Sequence, residues 1–508
     1  MARTAARASA SRTSKKTGTG RSDRKIEVGV IAAAGKGTRA YPRTSFIPKP
    51  LFTFENQSIL ERNVELMFRT IGVKKLFIIV GHLQELVLGE VDRIRRKYPD
   101  REIETAQWTK KGLGADVASL RGRFTGDFAL VLGDEFYYNT NHEELARLWK
   151  SKPAADSLIA VLPSLFISDI RKNYSVVLKG TRVVDLVEKP QNPPNNLLGL
   201  GSYVFSQRYF EYFDKTPPSS RSGVVELTEV IDLMSRELEV HGVKLTGTYY
   251  NINSLADYYA ANYVIRTDKF AQYKISLVVP SLNNAATLPD VLSDFEKHVD
   301  EIIVVDMGSD DGTPDLVRGR KAKVFRESAP KEFFSVNYAP AIYAAMRQCQ
   351  GDIIVLAPAD GSFRVVDLRK LLEYLKDCDM AVGTRTTRQM MEQGSNLSPL
   401  YRWLNVFFGK LVEILWWSRE PRFTDIGCIY RAIWKDSFEK ITPDLRAKDK
   451  TFSLEMMIEI MRYHMRCIEV PVSFYKRYGS VLEESMSDRW RYFFSVLRLI
   501  FRRRFLKP

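Results

Sequence analysis

Two segments of the sequence begin in the same way, with an apolar run followed directly by a polar turn. The first is IEVGVIAAAGKGTR (26–39) and the second is KISLVVPSLNNAAT (274–287). Each is followed by short apolar runs separated by helix-like stretches: LFIIVG, FALVLGD and SLIAVLP after the first, EIIVVD, DIIVLAPAD and MAVGTR after the second. Alternating strands and helices predict mainly parallel sheets covered by helices on both faces. The sequence therefore predicts an α/β protein with two such domains in tandem.

The domain boundary is predicted near residues 268–273, where the helix-like DYYAANYVIRTDKF gives way to a new strand. The expected organisation is a disordered basic tail at 1–25, domains at 26–270 and 273–485, and a basic amphipathic helix at 486–508. The tail is rich in Arg, Ser and Thr like an organelle transit peptide, but it lacks a bulky apolar face, which favours disorder. Ligands bind open α/β sheets at the carboxyl ends of strands, so functional residues are expected just after the apolar runs.

The net charge of +15 is concentrated at the ends of the chain. Residues 1–25 and 489–508 each contribute +7, which leaves the body close to neutral. This distribution disfavours nucleic-acid binding and favours contact of the ends with an anionic membrane surface. No run approaches the roughly 20 apolar residues of a membrane span. The four cysteines form no CxxC pair, which excludes a zinc ribbon and favours a reducing, cytoplasmic location, peripheral to a membrane where the charged ends bind one.

A glycine-rich turn directly follows the first strand. It contains Gly35, Gly37, Thr38 and Arg39, and Lys49 follows ten residues later. Glycines let backbone N–H groups approach a triphosphate, while Arg39 and Lys49 can neutralise its charge. The whole run GKGTRAYPRTSFIPKPL resembles the signature of the sugar-1-phosphate nucleotidyltransferases.

That resemblance continues through about 26–265 and implies a Rossmann-like nucleotide-diphospho-sugar transferase fold. It implies base recognition near Gln107, sugar-phosphate binding by an EKP segment, and a glycine packed against the sugar. The substrate-binding residues that it implies are Gly35, Gly37, Thr38, Gln107, Gly112, Gly133, Glu188 and Gly201.

The resemblance also implies a divalent cation, Mg²⁺ or Mn²⁺, bound by Asp134 and Asn251. Asparagine stands at the second position, where aspartate is commoner. In-line attack of a sugar phosphate on an α-phosphorus brings two anions together, so it needs a metal and cations rather than a covalent nucleophile. The predicted cations are Arg39, Lys49 and Lys189. The implied reaction converts an NTP and a sugar 1-phosphate into an NDP-sugar and pyrophosphate.

The second domain resembles, over about 274–485, the inverting glycosyltransferases of family 2 that include dolichyl-phosphate mannose synthase. Its opening PSLNN and the later VVDMGSDDGT carry the resemblance. They imply that Pro280, Asn283 and Asp306 contact the nucleotide, and that Asp310 or Asp311 holds the loop, with Asp311 also placed among the substrate-binding residues.

The segment APADG stands where that family has a metal-binding DxD motif, with Pro358 in place of the first aspartate and Asp360 retained. A diphosphate leaving group needs a cation or basic side chains to absorb its charge. Two interpretations stay open. Either Asp360 suffices as a catalytic metal ligand, or the second domain only binds a nucleotide sugar.

Later segments resemble the acceptor side of the same family. They imply substrate binding by Arg385 and Arg431, and a catalytic basic residue at Arg477 after the EVPV segment. Asp425 is the candidate general base if the acceptor is a hydroxyl, whereas an anionic phosphate acceptor needs none. An internal salt bridge between Asp425 and Arg431 is the alternative.

Near the C-terminus, SDRWRYFFSVLRLIFRRRF places aromatic and aliphatic residues at helical spacing, with arginines opposite. The apolar positions are Trp490, Phe493, Phe494, Leu497 and Phe501. Such a helix either packs on the domain or on a second subunit, or lies in the interface of an anionic membrane, which we favour.

Together these patterns predict a bifunctional enzyme. The first domain makes an NDP-sugar, and the second transfers the sugar to a polyprenyl phosphate or other membrane-associated acceptor. The alternative is a catalytic first domain and a second domain that acts as a nucleotide-sugar-binding regulatory module.

Overall fold

The structure, a computed structural model, describes residues 24–37, 44, 47–326, 338–391, 399–417, 421–476 and 486–506. It divides into two compact units, residues 1–255 and 256–508. The predicted site residues Thr38, Arg39 and Arg477 and the predicted tail up to residue 23 lie outside the described residues.

The strands of the first unit are short and numerous. They are β1 Val28–Ala33, β2 Thr53–Phe54, β3 Gln57–Ser58, β4 Lys75–Val80, β5 Glu102–Gln107, β6 Phe128–Leu132, β7 Glu135–Tyr138, β8 Ser157–Pro163, β9 Tyr174–Lys179, β10 Arg182–Glu188, β11 Leu197–Phe205, β12 Val240–Lys244 and β13 Thr248–Asn251. Its helices are α1 Ile59–Glu65, α2 Gln84–Lys97, α3 Leu113–Ala118, α4 Glu143–Ser151, α5 Ile167–Lys172, α6 Arg208–Lys215 and α7 Leu227–Glu237.

The main sheet of the first unit has the order β5-β4-β1-β6-β11-β8-β12-β10-β9. Pairing is parallel from β5 through β6 and between β12 and β8, and antiparallel elsewhere. Val30 and Ile31 of β1 point to opposite faces and belong to separate buried clusters, so both faces are covered. A second pairing, β13 with β7, lies beside the end of β6 and brings Asn251 opposite Glu135.

The second unit contains helix α8 Leu255–Asp268, strands β14 Ile275–Ser281, β15 Glu301–Asp306, β16 Ala322–Arg326, β17 Ile353–Leu356, β18 Met380–Thr384, β19 Arg431–Trp434 and β20 Cys467–Pro471, and the remaining helices. Those helices are α9 Leu288–Phe295, α10 Tyr338–Gln348, α11 Leu368–Leu375, α12 Pro399–Leu415, α13 Lys435–Ile441, α14 Phe452–Arg462 and α15 Met486–Phe505. The sheet order is β16-β15-β14-β17-β19-β18-β20, parallel except where β19 pairs with its two neighbours. The predicted α/β class with two domains is confirmed.

Helix α8, which the sequence pattern assigns to the first domain, is tied to residues of the second unit. The Tyr259 hydroxyl donates to Asp379 at 2.8 Å, and the Arg266 guanidinium donates to the Cys378 carbonyl at 2.8 Å. Arg266 also lies over the Trp434 ring, 4.5 Å from its centroid. These contacts bury the inner face of α8 against the second sheet.

Helix α15 packs on the second unit, which was one of the two alternatives open from its sequence. Val496 and Ile500 are fully buried, and Arg503 pairs with Glu455 at 2.6 Å and with Glu459 at 3.2 Å. These anchoring positions are not the aromatic stripe that the sequence pattern singles out. No helix among the described residues is long and apolar enough to cross a bilayer.

Candidate functional site

The site of the first unit is built around the carboxyl ends of β1 and β6. Gly133 follows β6, and its N–H donates to the Ala32 carbonyl at 2.9 Å. A Cβ at Gly133 would lie 2.6 Å from that same oxygen, so only glycine fits between the two strand ends. This close approach directs the chain into Asp134.

Lys49 reaches Asp134 from a buried turn. Its Nζ lies 3.0 Å from Asp134 Oδ2 and 3.0 Å from Asn253 Oδ1. The lysine side chain is 7% exposed and the aspartate 34%. Gly37, at φ +60°, packs on the Lys49 side chain, with a virtual Cβ 3.0 Å from Cγ of the lysine. The predicted loop glycine and lysine are thus brought together, and the loop holds the ammonium group at the strand ends.

Asn173 joins the predicted sugar-phosphate segment to the predicted metal ligand. Its Oδ1 accepts a hydrogen bond from Asn251 Nδ2 at 3.0 Å, and its carbonyl accepts one from the Lys189 N–H at 2.7 Å. Lys189 has φ +46°, a left-handed conformation that is strained for a residue with a Cβ. Its Nζ lies 3.4 Å from Glu188, which also pairs with Arg221 at 3.2 Å. Lys189 and Glu188 are therefore held at the same edge as Asn251.

The residues at this edge fit a hard divalent cation. Asn251 Oδ1 is buried and has no hydrogen-bond partner among the residues that the structure describes. The Ile252 N–H donates to the Asp134 carbonyl at 3.1 Å, so the backbones of the two candidate ligands are adjacent. Carboxylate and amide oxygens are the donors that Mg²⁺ prefers. Within the described ranges no group of three or more His, Cys, Asp or Glu side chains comes together as a metal cluster.

Glu135, next in sequence to Asp134, is a residue that the sequence pattern did not single out. It is buried, and it accepts hydrogen bonds from the Gly201 N–H at 2.7 Å, from the Tyr249 hydroxyl at 2.8 Å and from the Tyr137 hydroxyl. Burial raises the pKa of Glu135 to about 7. A Cβ at Gly201 would lie 2.6 Å from the Glu135 carboxylate, which explains a glycine there. The only signal in the sequence was the acidic pair in GDEF.

The predicted base-recognition segment lies at the far strand of the parallel part of the sheet. Gln107 ends β5 with an exposed side chain. Gly112 has φ +92°, and a Cβ there would lie 2.9 Å from the Val224 side chain. Gly35 follows β1, and a Cβ there would meet no atom of the described residues within 4 Å.

In the second unit, two loops at the ends of β14 and β15 are locked together. Beyond Pro280 on β14, the Asn283 N–H donates to Ser309 Oγ at 3.0 Å, and Asn283 Oδ1 accepts from the Asp310 N–H at 3.0 Å. Asp311 accepts from the N–H groups of Thr313 at 3.0 Å and Ala285 at 2.9 Å. Of the two loop-holding candidates, Asp311 makes these bonds.

Asp306 and Asp360 also accept hydrogen bonds from N–H groups of the loops that follow them. Asp306 is buried, accepts from the Ser309 N–H at 3.1 Å, and lies 3.6 Å from Arg326. Asp360 Oδ1 accepts from the N–H of Ser362 at 3.0 Å and from its hydroxyl at 2.5 Å. Asp306 is the last residue of β15, and Asp360 lies four residues beyond the end of β17.

Arg385 and Asp425 form a buried ion pair on the predicted acceptor side. The guanidinium donates twice, at 2.8 Å each, and the Arg385 N–H donates a third bond at 2.9 Å. Although burial opposes ionisation, Arg385 holds the pKa of Asp425 below its ordinary value. The ion-pair partner of Asp425 is therefore Arg385 and not Arg431.

Arg431 supports the same loop from inside the unit. It is fully buried and donates to the carbonyls of Cys428 at 2.5 Å and Ser453 at 3.1 Å. Glu469, of the predicted EVPV segment, accepts from the N–H groups of Thr424 and Asp425 at 2.9 Å. Burial raises the pKa of Glu469 to about 7. The loop 424–428 is thus held by Arg385, which directly follows β18, and by side chains of β19 and β20.

Comparison with protein families assigns both halves of the chain. The nucleotidyl transferase model matches residues 28–267, and the glycosyl transferase family 2 model matches residues 276–439. The UTP–glucose-1-phosphate uridylyltransferase AglF of Haloferax volcanii is 30% identical over 207 residues, which are 41% of this chain and 83% of that protein.

The bifunctional protein GlmU of Methanococcus aeolicus is 29% identical over 235 residues, which are 46% of this chain and 53% of GlmU. The chain thus spans about half the length of that relative. Among solved structures, a UDP-glucose pyrophosphorylase complexed with UDP-glucose is 21% identical, with a TM-score of 0.43, covering 48% of this chain and 99% of that one.

Proposed function

We propose that this chain, which belongs to the nucleotidyl transferase family over its first half and to glycosyl transferase family 2 over its second, carries out two successive reactions. The first unit condenses an NTP with a sugar 1-phosphate. The second transfers the sugar of the resulting NDP-sugar to a polyprenyl phosphate or another membrane-associated acceptor. The protein then acts in the cytoplasm, at the surface of a membrane.

The observation that supports the first reaction is the cluster of Lys49, Asp134 and Asn251 at one edge of the sheet. A sugar-phosphate oxygen attacks the α-phosphorus, the bond from that phosphorus to the bridging oxygen breaks, and pyrophosphate leaves. Lys49 neutralises charge on the reacting phosphates, while Lys189 and Glu188 position the sugar phosphate. Asp134 and Asn251 would hold Mg²⁺, which neutralises charge on phosphate oxygens when bound. Arg39 adds a further cation, and Gln107 and Gly112 contact the base.

Pyrophosphate release tests this reaction. The purified protein is assayed with Mg²⁺ across four NTPs and a panel of sugar 1-phosphates. We expect release for one pair and a loss of roughly 100-fold or more in Asp134→Ala. Asp185→Ala, which changes an exposed aspartate of the same unit, is the matched control and should leave the rate unchanged. Equal rates in the two variants would contradict the assignment of Asp134.

For the second reaction, a phosphate acceptor is already anionic, so no general base is required. This agrees with a low pKa and a complete set of partners for Asp425, which suit a positioning role. In this reaction Arg385, the retained Asp360 and the predicted basic residue Arg477 serve the departing diphosphate and the acceptor. Pro280, Asn283 and Asp306 serve the nucleotide.

Two observations favour the alternative, a second unit that binds a nucleotide sugar without turnover. Pro358 stands where the DxD motif has its first aspartate, and the Ser362 N–H donates a hydrogen bond to Asp360 Oδ1. The two functions differ in one assay: the NDP-sugar made by the first unit is supplied with polyprenyl phosphate in detergent. Transfer supports the enzyme. Saturable binding of the NDP-sugar without transfer supports the regulatory module.

A further inference from the structure

Helices α12 and α15 leave large apolar side chains exposed. On α12, exposed positions recur at i, i+3, i+7 and i+14, opposite the buried Phe408 and Val412. On α15 they recur at i, i+4, i+11 and i+15, away from Val496 and Ile500. Together these residues are termed the aromatic face: Leu400, Trp403, Phe407 and Ile414 on α12, and Trp490, Phe494, Phe501 and Phe505 on α15.

Ring contacts join the two helices into one surface. Trp403 stacks on Phe407 at 5.5 Å between centroids, and Phe407 contacts Phe408 at 5.4 Å. Phe408 meets Phe493 of α15 at 5.2 Å. Phe493 in turn contacts both Trp490 and Phe494. The exposed rings are therefore neighbours in space, and not isolated apolar residues of the kind common on protein surfaces.

Cationic side chains flank the aromatic face on α15. Arg491, Arg498 and Arg502 are exposed and recur at i, i+7 and i+11, along one side of the exposed rings. Within the described part of the chain, these three guanidinium groups form no ion pair. Tryptophan and phenylalanine beside arginine are the composition of surfaces that lie at the boundary between acyl chains and headgroups.

We propose that the aromatic face docks this protein on an anionic lipid bilayer, with the rings at the level of the acyl boundary and the arginines at the headgroups. Charge favours a bilayer over a second copy of the chain. A two-fold interface through this face would set like charges of the two copies close together, whereas an anionic leaflet neutralises them.

The inner side of α12 contacts the predicted acceptor loop, and α15 packs on α12 there. A Cβ at Gly427 would lie 3.2 Å from Asn405 Oδ1 and 3.4 Å from the Tyr401 hydroxyl, both on α12. It would also lie 3.3 Å from the Arg385 guanidinium. Tyr492 of α15 packs on Tyr401, with 6.2 Å between ring centroids. The Arg385–Asp425 pair thus lies about one helix diameter, roughly 10 Å, beneath the docking surface.

The link between this docking surface and sugar transfer rests on the proposed function in one respect, the identity of the acceptor. A polyprenyl phosphate carries its phosphate at the headgroup level of a bilayer. Docking through α12 and α15 would bring that phosphate to the side of the unit on which Arg385 lies.

Flotation with liposomes tests the proposal in the full chain and without substrates. Because Val496, Ile500 and Arg503 anchor α15, substitution of exposed residues is a cleaner test than removal of the helix. The face variant is Trp403→Glu with Trp490→Glu. The matched control is Val366→Glu with Tyr374→Glu, which changes exposed apolar residues of the same unit on other elements.

We expect the wild-type chain and the control to float with vesicles of phosphatidylcholine and phosphatidylglycerol, and weakly with phosphatidylcholine alone. The face variant should lose roughly tenfold or more of its partition into anionic vesicles. Arg491→Glu with Arg498→Glu should remove the preference for phosphatidylglycerol. An unchanged thermal unfolding transition and an unchanged circular dichroism spectrum in each variant show that the second unit is folded.

Equal flotation of the wild type and the face variant would overturn the proposal, as would a wild type that binds neither vesicle. If light scattering then shows a dimer that the face variant dissociates, the face is an interface between two copies. Sugar transfer in detergent is measured separately. Flotation without transfer would contradict the second reaction of the proposed function and leave the docking surface supported.

Discussion

Each unit places acidic and basic residues near the carboxyl ends of the strands of its main sheet, but the interaction partners of these residues differ between the units. In the first unit, Asp134 is one third exposed and its ion-pair partner is Lys49, a side chain that a phosphate could attract. In the second unit, Asp425 is buried with Arg385, and its oxygens also accept backbone bonds. Asp311 and Glu469 likewise hold loop N–H groups.

The difference separates two uses of charge. The Lys49–Asp134 pair is only partly buried, because water reaches its carboxylate, whereas the buried bidentate pair of Arg385 and Asp425 holds a loop in one conformation and is costly to break. The charged groups of the first unit are therefore available to bind substrates. The second unit uses many of its carboxylates as scaffolding for loops that carry the remaining groups.

The largest effect is expected at Arg385. Arg385→Met leaves Asp425 as an unpaired buried carboxylate, so the free energy of unfolding of the second unit should fall by about 3–5 kcal/mol. Arg364→Met, which breaks an exposed pair with Asp294 in the same unit, is the control and should cost less than about 1 kcal/mol. Chemical denaturation of both variants measures the difference. Equal losses in the free energy of unfolding of the two variants would show that the buried pair does not stabilise the second unit.

Lys49→Met should give the opposite result in the first unit. The loss in the free energy of unfolding should be smaller than in Arg385→Met, because the Asp134 carboxylate that remains is one third exposed, while pyrophosphate release should fall roughly 100-fold because phosphate charge is no longer neutralised. Lys74→Met breaks an exposed pair with Glu27 away from the site and is the matched control. A large loss of stability with normal activity would contradict an exchangeable Lys49–Asp134 pair.

The pH dependence of stability should report Glu469. Its pKa of about 7 lies above the ordinary 4.5, so the folded chain holds a proton that the unfolded chain has released between these values. This contribution to the free energy of unfolding is present below pH 4.5 and is lost as pH rises through 7, by at most about 3 kcal/mol.

Glu469→Gln should flatten that pH dependence, and denaturant unfolding at a series of pH values measures it. The substitution Glu439→Gln, at an exposed glutamate of the same unit, should leave the slope of the free energy of unfolding against pH as it is in the wild type. A slope that does not differ between the Glu469 variant and the wild type would show that the carboxylate is ionised throughout.

The smallest effect is expected at Asp311. Asp311→Ala removes the acceptor for the N–H groups of Thr313 and Ala285 and should cost about 1 kcal/mol. Asp310→Ala changes the exposed neighbouring aspartate and should cost close to nothing. Thermal unfolding of the two variants compares them directly. Equal melting temperatures would show that the loop does not depend on Asp311.

Strand positions and strand-end motifs could be predicted well from the sequence. SLIAVLP and EIIVVD coincide with β8 and β15, because a buried strand is a short apolar run bounded by turn residues. The motif residues Lys49 and Asp134 meet because both follow neighbouring elements of one sheet. Glu135 was missed, since nothing local distinguishes a buried acid from the exposed one beside it.

The two α/β domains, their family resemblances and the edges that carry charged residues all follow from the amino-acid pattern, because periodicity and short motifs are local properties of the chain. Two features depend on the folded chain: Asp425 pairs with Arg385 rather than Arg431, and α15 is anchored by Val496, Ile500 and Arg503 while Trp490, Phe494, Phe501 and Phe505 stay exposed. Helical spacing defines the faces of a helix. Which face is buried depends on distant segments that supply its partners, and those meet only when the chain is folded.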